Sequence, residues 1–302
     1  MRITKENFKI KELSDRASKS YEIKEVYKKQ SFFKDVLNFI ESQNLLPIDN
    51  INVILNLSTD DKYPIGTVLI EKNSQKIVGF VGTFFSNRYS SSDEILFCNI
   101  HSWIVDKKHR LYSFYLISNL LSRNINLTAF TPVVPLKGLL LKLGFIKTFI
   151  EEKFYFNFNL FSFTKKKIEI LETKTENFKD LSKRTEKISS QFSNKIFTKV
   201  IIKNELSEKL FILGILSKKK FFKVFKILYV SNTDIFKKFS KNILNVISKT
   251  YKVHFFSEYI IENDQKKIIG KSVLGFRKKR DIYNRLNLKI GQYEIINSDL
   301  VL

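Results

Sequence analysis

Trp103-Ile-Val-Asp-Lys-Lys-His-Arg-Leu-Tyr-Ser-Phe-Tyr115 is the stretch on which the fold reading turns. It begins at the end of an alternating, strand-like run, Ile95–Val105. It passes through a charged turn and enters the helical pattern Phe114–Ser122. A strand ending in a bulge, followed by a tight turn and a helix N-terminus, makes a site for a pyrophosphate. The turn's free N–H groups and the helix dipole both favour negative charge there. Lys107, Lys108 and Arg110 add cations where phosphates would sit. Taken alone, the segment also reads as an ordinary basic strand-to-helix connection, so its surroundings decide.

Upstream, Thr67–Lys72 and Lys76–Phe85 alternate around the turn Asn73-Ser74-Gln75 and read as a β-hairpin. Before them, residues 14–43 read as helical, with Phe32, Phe33, Val36, Leu37, Phe39 and Ile40 at helical spacing. Downstream, Leu127–Thr131 is a short strand. Pro135–Leu143 is a helix stopped by Gly144, a residue suited to a positive φ, and Ile146–Phe158 is a strand or strand pair. From the hairpin onward the order is β-β-β-α-β-α-β.

The second half alternates similarly. Leu210–Leu216 and Phe221–Val230 flank a turn at Lys218–Lys220, and Ile235–Ser248 is an amphipathic helix. Strand-like runs follow at Val253–Ile261, Ile268–Phe276 and Tyr293–Leu302. The basic runs Lys165–Lys167, Lys218–Lys220 and Lys278–Arg280 read as turns or solvated ends. The charged end of an aromatic run at Ser162–Lys167 marks the boundary. The expected domains are residues 1–163 and 164–302, the second a degenerate relative of the first.

Composition narrows the function classes. A chain of 302 residues, 43% hydrophobic and with 29 Phe, has ample material for two cores. No uninterrupted apolar run reaches membrane-spanning length, so no membrane span is expected. The N-terminus lacks a signal-peptide pattern, and a cytoplasmic setting is the default. The single Cys98 excludes an intrachain disulfide and a cysteine-built metal site, and no metal is expected. The net charge of +23 sits mostly in residues 161–302, which carry +17 against +6 for residues 1–160. Of the 53 basic residues only 9 are Arg. Base reading leans on bidentate Arg, so a Lys-rich excess points to solvation and compositional bias before a nucleic-acid partner. An anion- or nucleic-acid-binding module remains the less favoured alternative.

The hairpin strand Lys76-Ile-Val-Gly-Phe-Val-Gly82, the strand through His101-Ser-Trp-Ile-Val105, the strand Leu127-Thr-Ala-Phe-Thr-Pro132 and the helix end Leu139–Phe145 share an order and spacing. Together, over residues 60–160, they resemble the GNAT superfamily of N-acyltransferases. The resemblance implies an α/β fold: a mixed, mostly antiparallel sheet flanked by helices, with a second GNAT-like α/β domain behind it. It implies acetyl-CoA or another acyl-CoA as cofactor and a small amine as acceptor. On the family's pattern, Arg110 and Ser113 take the Arg and first Gly of the pyrophosphate loop, while Tyr115 replaces the second Gly or Ala. Lys108 and Leu111 complete the cofactor loop, and the main-chain groups near Ile104 and Val105 would hold the pantetheine and thioester. Trp103, Val105, Arg110, Ser113 and the ending Ser298–Leu302 also resemble a two-part bacterial GNAT-like group associated with surface polysaccharides. That resemblance implies an amino sugar of a cell-envelope precursor as acceptor. The oligomeric state is not legible.

Acyl transfer to an amine needs positioning, a polarised carbonyl and removal of the ammonium proton. With unbroken alternation, Asn99, His101 and Trp103 share one face of their strand, and Cys98, Ile100 and Ser102 the other. His101 has the right intrinsic pKa for a base, and Asn99 stands beside it as the second candidate catalytic residue. The competing reading for His101 is a half-buried imidazole satisfied by a neighbour. Cys98 reads as core. Trp103 reads as packing, or as a wall of the acceptor pocket. Two positions depart from the family. Leu140 stands where many members carry a Tyr that protonates the departing thiolate. Asn99 and His101 occupy the strand that often carries a Glu, while Glu94 lies before it. A non-catalytic protein of the same fold is therefore the competing functional reading.

Overall fold

The computed structural model describes residues 5–44, 61–90, 93–123, 125–129, 132–156, 168–171, 181–191, 197–218, 222–261 and 277–285. The first compact unit comprises residues 1–148 with the strand returning at Asp281, and the second contains Phe149–Arg280. The expected boundary at Ser162–Lys167 lies outside the described residues, as do the expected strands Ile268–Phe276 and Tyr293–Leu302.

In the first unit, helix α1 (Lys5–Ser20) leads into β1 (Tyr21–Val26), and α2 (Phe33–Ser42) follows. The single helix expected over 14–43 is thus two helices with a strand between them. Tyr21-Glu-Ile-Lys-Glu-Val26 alternates, but its Glu and Lys are good helix formers, which disguises the strand. Pairing decides: β1 lies antiparallel to β2 (Gly66–Glu71), from Tyr21 opposite Glu71 to Val26 opposite Gly66. β3 (Lys76–Ser90) and β4 (Asp93–Val105) continue the antiparallel run. The connection to β5 (Asn126–Ala129) is a 3-10 helix, Lys107–Ile117, continued by the short α3 (Ser118–Ser122). β5 is parallel to β4, and β12 (Arg277–Arg285) pairs antiparallel with β5. Lys278–Arg280, read as a turn or a solvated end, thus lies within a strand. The strand order is β1-β2-β3-β4-β5-β12. α4 (Val134–Lys142) ends as expected at Gly144, whose φ of 84° is the left-handed value a C-terminal glycine supplies.

Two apolar layers cover this sheet. Leu69, Val81, Cys98 and Ile100 pack with Leu116, Leu120 and Leu140 on one face. Val68, Phe80 and Ile104 pack with Val36 and Ile40 of α2 on the other. At about 25 cal/mol per Å², these buried side chains supply most of the drive for folding.

The second unit repeats this order. β6 (Ile146–Phe156) passes into it from the first unit, and β7 (Ile168–Leu171), α5 (Lys183–Gln191), β8 (Phe197–Asn204), β9 (Lys209–Lys218) and β10 (Lys223–Val230) follow. α6 (Thr233–Tyr251) then crosses over to β11 (Phe255–Ile261), which lies parallel to β10. The order is β7-β8-β9-β10-β11-β6, with β6 antiparallel to β11. Phe236, Phe239, Ile243 and Ile247 bury one stripe of α6 against Phe225, Ile227 and Phe256. Each unit is thus an antiparallel run, a helical crossover, a parallel strand and a last antiparallel strand. The architecture is a mixed, mostly antiparallel α/β fold built twice.

Candidate functional site

β4 departs from regularity where the sequence places the site. Gly82 of β3 faces His101 and Phe80 faces Ile104, so one extra residue of β4 is accommodated between them. Ser102 takes the extra turn, with φ of 44°. This is a β-bulge, the device that bends a strand and re-aims its side chains. It shifts the alternation by one, and a one-residue slip moves side chains to the opposite face. Asn99 and His101 therefore do not share a face with Trp103. Trp103 and Val105 pack instead on the face of Cys98 and Ile100, where the 3-10 helix lies. Ile104 is buried on the α2 side. The unbroken alternation expected from the sequence fails here because a serine with positive φ leaves no compositional mark.

Immediately before the bulge, β4 parts from β5. Their last paired residues are Asn99 and Thr128, after which β4 continues to Val105 with no strand pairing on that side among the described residues. The vertex of the parting is a buried polar clamp: Thr128 Oγ1 donates to Asn99 Oδ1 at 3.4 Å, and both residues are 1% exposed. Beyond it, unpaired main-chain groups of a strand offer the donors and acceptors that an extended amide-bearing ligand can use.

His101 is half-buried, its ring laid directly over Gly82, where any Cβ would overlap it. Its Nδ1 lies 3.1 Å from Ser102 Oγ. Burial pushes its pKa down to about 4, against a weaker opposing effect from a hydrogen bond with the Thr83 main chain. The imidazole is neutral at pH 7 and a weak base. Cys98 is fully buried in the apolar layer, which pushes its thiol well above its ordinary range. It has no nucleophilic character there.

The junction after β4 differs from the expected open turn. Helical structure starts at Lys107, a 3-10 run far longer than the usual single turn. Asp106 is its N-cap, and its carboxylate accepts from Lys108 N at 3.1 Å. His109 N bonds to Asp106 O. Much of the main-chain N–H supply expected for an anion is therefore already engaged. Side chains remain: Lys107, Lys108 and Arg110 are exposed and make no ion pair among the described residues, and Leu111 is exposed beside them. Ser113 is half-buried. Tyr115 turns into the core with Tyr112, so its bulk does not stand over the turn.

One anchor was not legible in the sequence. Tyr21 Oη and His109 Nδ1 form a hydrogen bond of 2.8 Å with the rings edge-on, and Tyr112 packs against Tyr21. This ties the basic 3-10 helix to the start of β1. Its one signal, an aromatic opening an alternating hexapeptide, was masked by that segment's helix formers. Leu140 is buried on the helix that precedes Gly144, and Phe145 is buried after it.

Set against known proteins, the chain matches no protein-family model and no curated protein. Solved structures do match it. A GCN5-related N-acetyltransferase from Kribbella flavida aligns with a TM-score of 0.60 at 10% identity, covering 89% of this chain and 72% of its own. One from Anabaena variabilis aligns with a TM-score of 0.59 at 9% identity, covering 88% and 73%. The chain has the GNAT fold, and the likeness extends over both units.

Proposed function

We propose that the first unit binds an acyl-CoA along the open edge of β4 and transfers its acyl group to an amine. The observation that carries this reading is the Ser102 bulge coupled to the parting of β4 from β5 after Asn99. The pantetheine arm would lie against the main chain of Ile104 and Val105, where it can exchange amide hydrogen bonds as a partner strand does. The diphosphate would be held by Lys108 and Arg110, with Leu111 and Ser113 shaping the turn. These cations are exposed, so this part of the affinity is salt-sensitive. The solved N-acetyltransferases that share the fold support acyl transfer as the chemistry.

Within this reading, bound acyl-CoA supplies the activated thioester, and the chain positions it. The thioester oxygen would accept from a β4 N–H, polarising the carbonyl as negative charge develops on it. His101 is the candidate base for the ammonium proton of the acceptor, taking it on a neutral imidazole. Asn99 holds the vertex through Thr128, which fixes where β4 opens. We further propose acetyl or another short acyl as the group and an amino sugar of a cell-envelope precursor as the acceptor, in a cytoplasmic setting; the two-part resemblance supports this.

A second reading is favoured by two observations: Leu140 is buried where an acid would stand, and His101 is far weaker than an ideal base at neutral pH. The first unit would then bind acyl-CoA without turning it over. Calorimetry with acetyl-CoA, followed by thiol release on offering amino sugars, separates the two. Binding with amine-dependent CoA release supports the transferase. Binding with no release by any amine supports the second reading, and an absence of binding overturns both.

A further inference from the structure

Trp103 Nε1 is shut off from solvent and has no hydrogen-bond partner. A buried donor left unpaired is destabilising, and native structures rarely tolerate one without a compensating use. Its position is telling. Trp103 is the residue after the Ser102 bulge, on the segment of β4 that has lost β5 as a neighbour. The bulge places its ring on the same face as the 3-10 helix, within the layer that includes Leu116, Tyr112 and Tyr115. That helix carries Lys108 and Arg110. The orphan donor, the open strand edge and the exposed cations thus belong to one strand–helix junction, residues 99–110.

We infer that the Trp103 indole N–H is a ligand-binding donor, satisfied when a carbonyl oxygen of acyl-CoA occupies the open edge of β4. Two carbonyl sources share this chemistry, the thioester and the pantetheine amides. The N–H is closed to water in the free protein, so the ring must shift for a carbonyl to reach it, and the hydrogen bond gained replaces none to water. This assigns Trp103 a positioning role distinct from that of His101. It rests on the acyl-CoA reading of the first unit.

The chain has a single tryptophan, so its indole can be watched without interference. The test is the indole N–H resonance of the nitrogen-15-labelled full chain, titrated with acetyl-CoA and, separately, with CoA. Binding of each is followed in parallel by calorimetry. A downfield shift and slowed hydrogen exchange with both ligands identify a pantetheine carbonyl. The same response with acetyl-CoA alone identifies the thioester. Trp103→Phe keeps most of the ring volume and removes the donor. It is expected to bind the responsive ligand about tenfold more weakly, while the free variant melts no lower than the parent. If the parent binds acetyl-CoA but its indole resonance does not move downfield, or if Trp103→Phe binds equally well, the inference is overturned. If the parent binds neither ligand, it is the acyl-CoA reading that fails.

Discussion

The two units contain the same backbone device with opposite surroundings. In the first, β4 bulges at Ser102 just after β5 leaves it. In the second, β10 shows a register shift between Ile227 and Tyr229, just after its last pair with β11 at Ile227 and Glu258. Beyond the parting, His101, Ser102, Trp103 and Val105 are half-buried. Ile100 and Ile104 are buried there, as are all three residues of β10 beyond its parting, Leu228, Tyr229 and Val230. The helices that follow differ too. α6 is a regular helix whose N-cap, Asn232, accepts from Asp234 N and Ile235 N at 3.0 Å each, with an acid in its first turn. The 3-10 helix of the first unit puts Lys107, Lys108 and Arg110 within its first turns. A bulge and a parting strand therefore do not make a site by themselves. Among the described residues, the first unit differs in leaving most of the strand half-buried beyond the parting and in placing its cations at the very start of the helix that follows.

The largest expected effect breaks this comparison directly. Reversing Lys108 and Arg110 together to Glu removes two charge-assisted phosphate contacts and adds repulsion. At about 1.5–3 kcal/mol for each such contact, acetyl-CoA affinity should fall by at least about 100-fold. Reversing Lys237 and Lys238, on the exposed side of α6, should leave it unchanged, and calorimetry should find one acetyl-CoA per chain. Equal losses from the two pairs, or two sites per chain, would erase the distinction between the units.

Next in size is a pH effect carried by His101 of the first unit. His101 lies over Gly82 beside Ser102, while the face of the second unit away from α6 carries Lys226, Ser257 and Glu152. The folded pKa of His101 is about 4 and its unperturbed value 6.5. The unfolded chain thus takes up this proton first as pH falls. The contribution is intact above pH 6.5, declines between 6.5 and 4, and levels off below. The change amounts to roughly 3 kcal/mol. In urea titrations across this range, His101→Gln should lose that part of the pH dependence. A variant whose stability still tracks the parent from pH 6.5 to 4 would show that the imidazole is not held neutral by burial.

Particular residues explain what was legible in the sequence. The hairpin, the short strand β5 and the helix ending at Gly144 were readable because alternation, helical spacing and a glycine stop each have a local physical cause. β1 was hidden because Glu22, Lys24 and Glu25 suit a helix, and pairing with Glu71–Gly66 overrides that preference. The site was only half legible. Its cations stand in the sequence as written, but which face Trp103 occupies depends on a bulge at Ser102 that no residue type announces. The engagement of Lys108 N by Asp106 was likewise invisible, since Asp before a helix reads equally as a cap or as part of a turn. The return of β12 beside β5 is a long-range pairing with no local signature.

The smallest expected effect tests the role of Asp106, where the two junctions are most alike. Both helices are capped by a side-chain oxygen, but Asp106 brings a negative charge among Lys107, Lys108 and Arg110, whereas Asn232 is neutral. Serine caps about as well as aspartate, so Asp106→Ser keeps the bond to Lys108 N while removing the charge. Relief of repulsion at an exposed position is worth about 0.3–1 kcal/mol, so acetyl-CoA should bind roughly 2- to 5-fold more tightly. The gain should shrink in high salt. Asp234→Ser, the matching change in the second unit, should leave affinity untouched. An unchanged or weakened affinity in Asp106→Ser, with the melting temperature preserved, would place the phosphates away from this turn. The cations at 107–110 would then be a solvated face like that of α6.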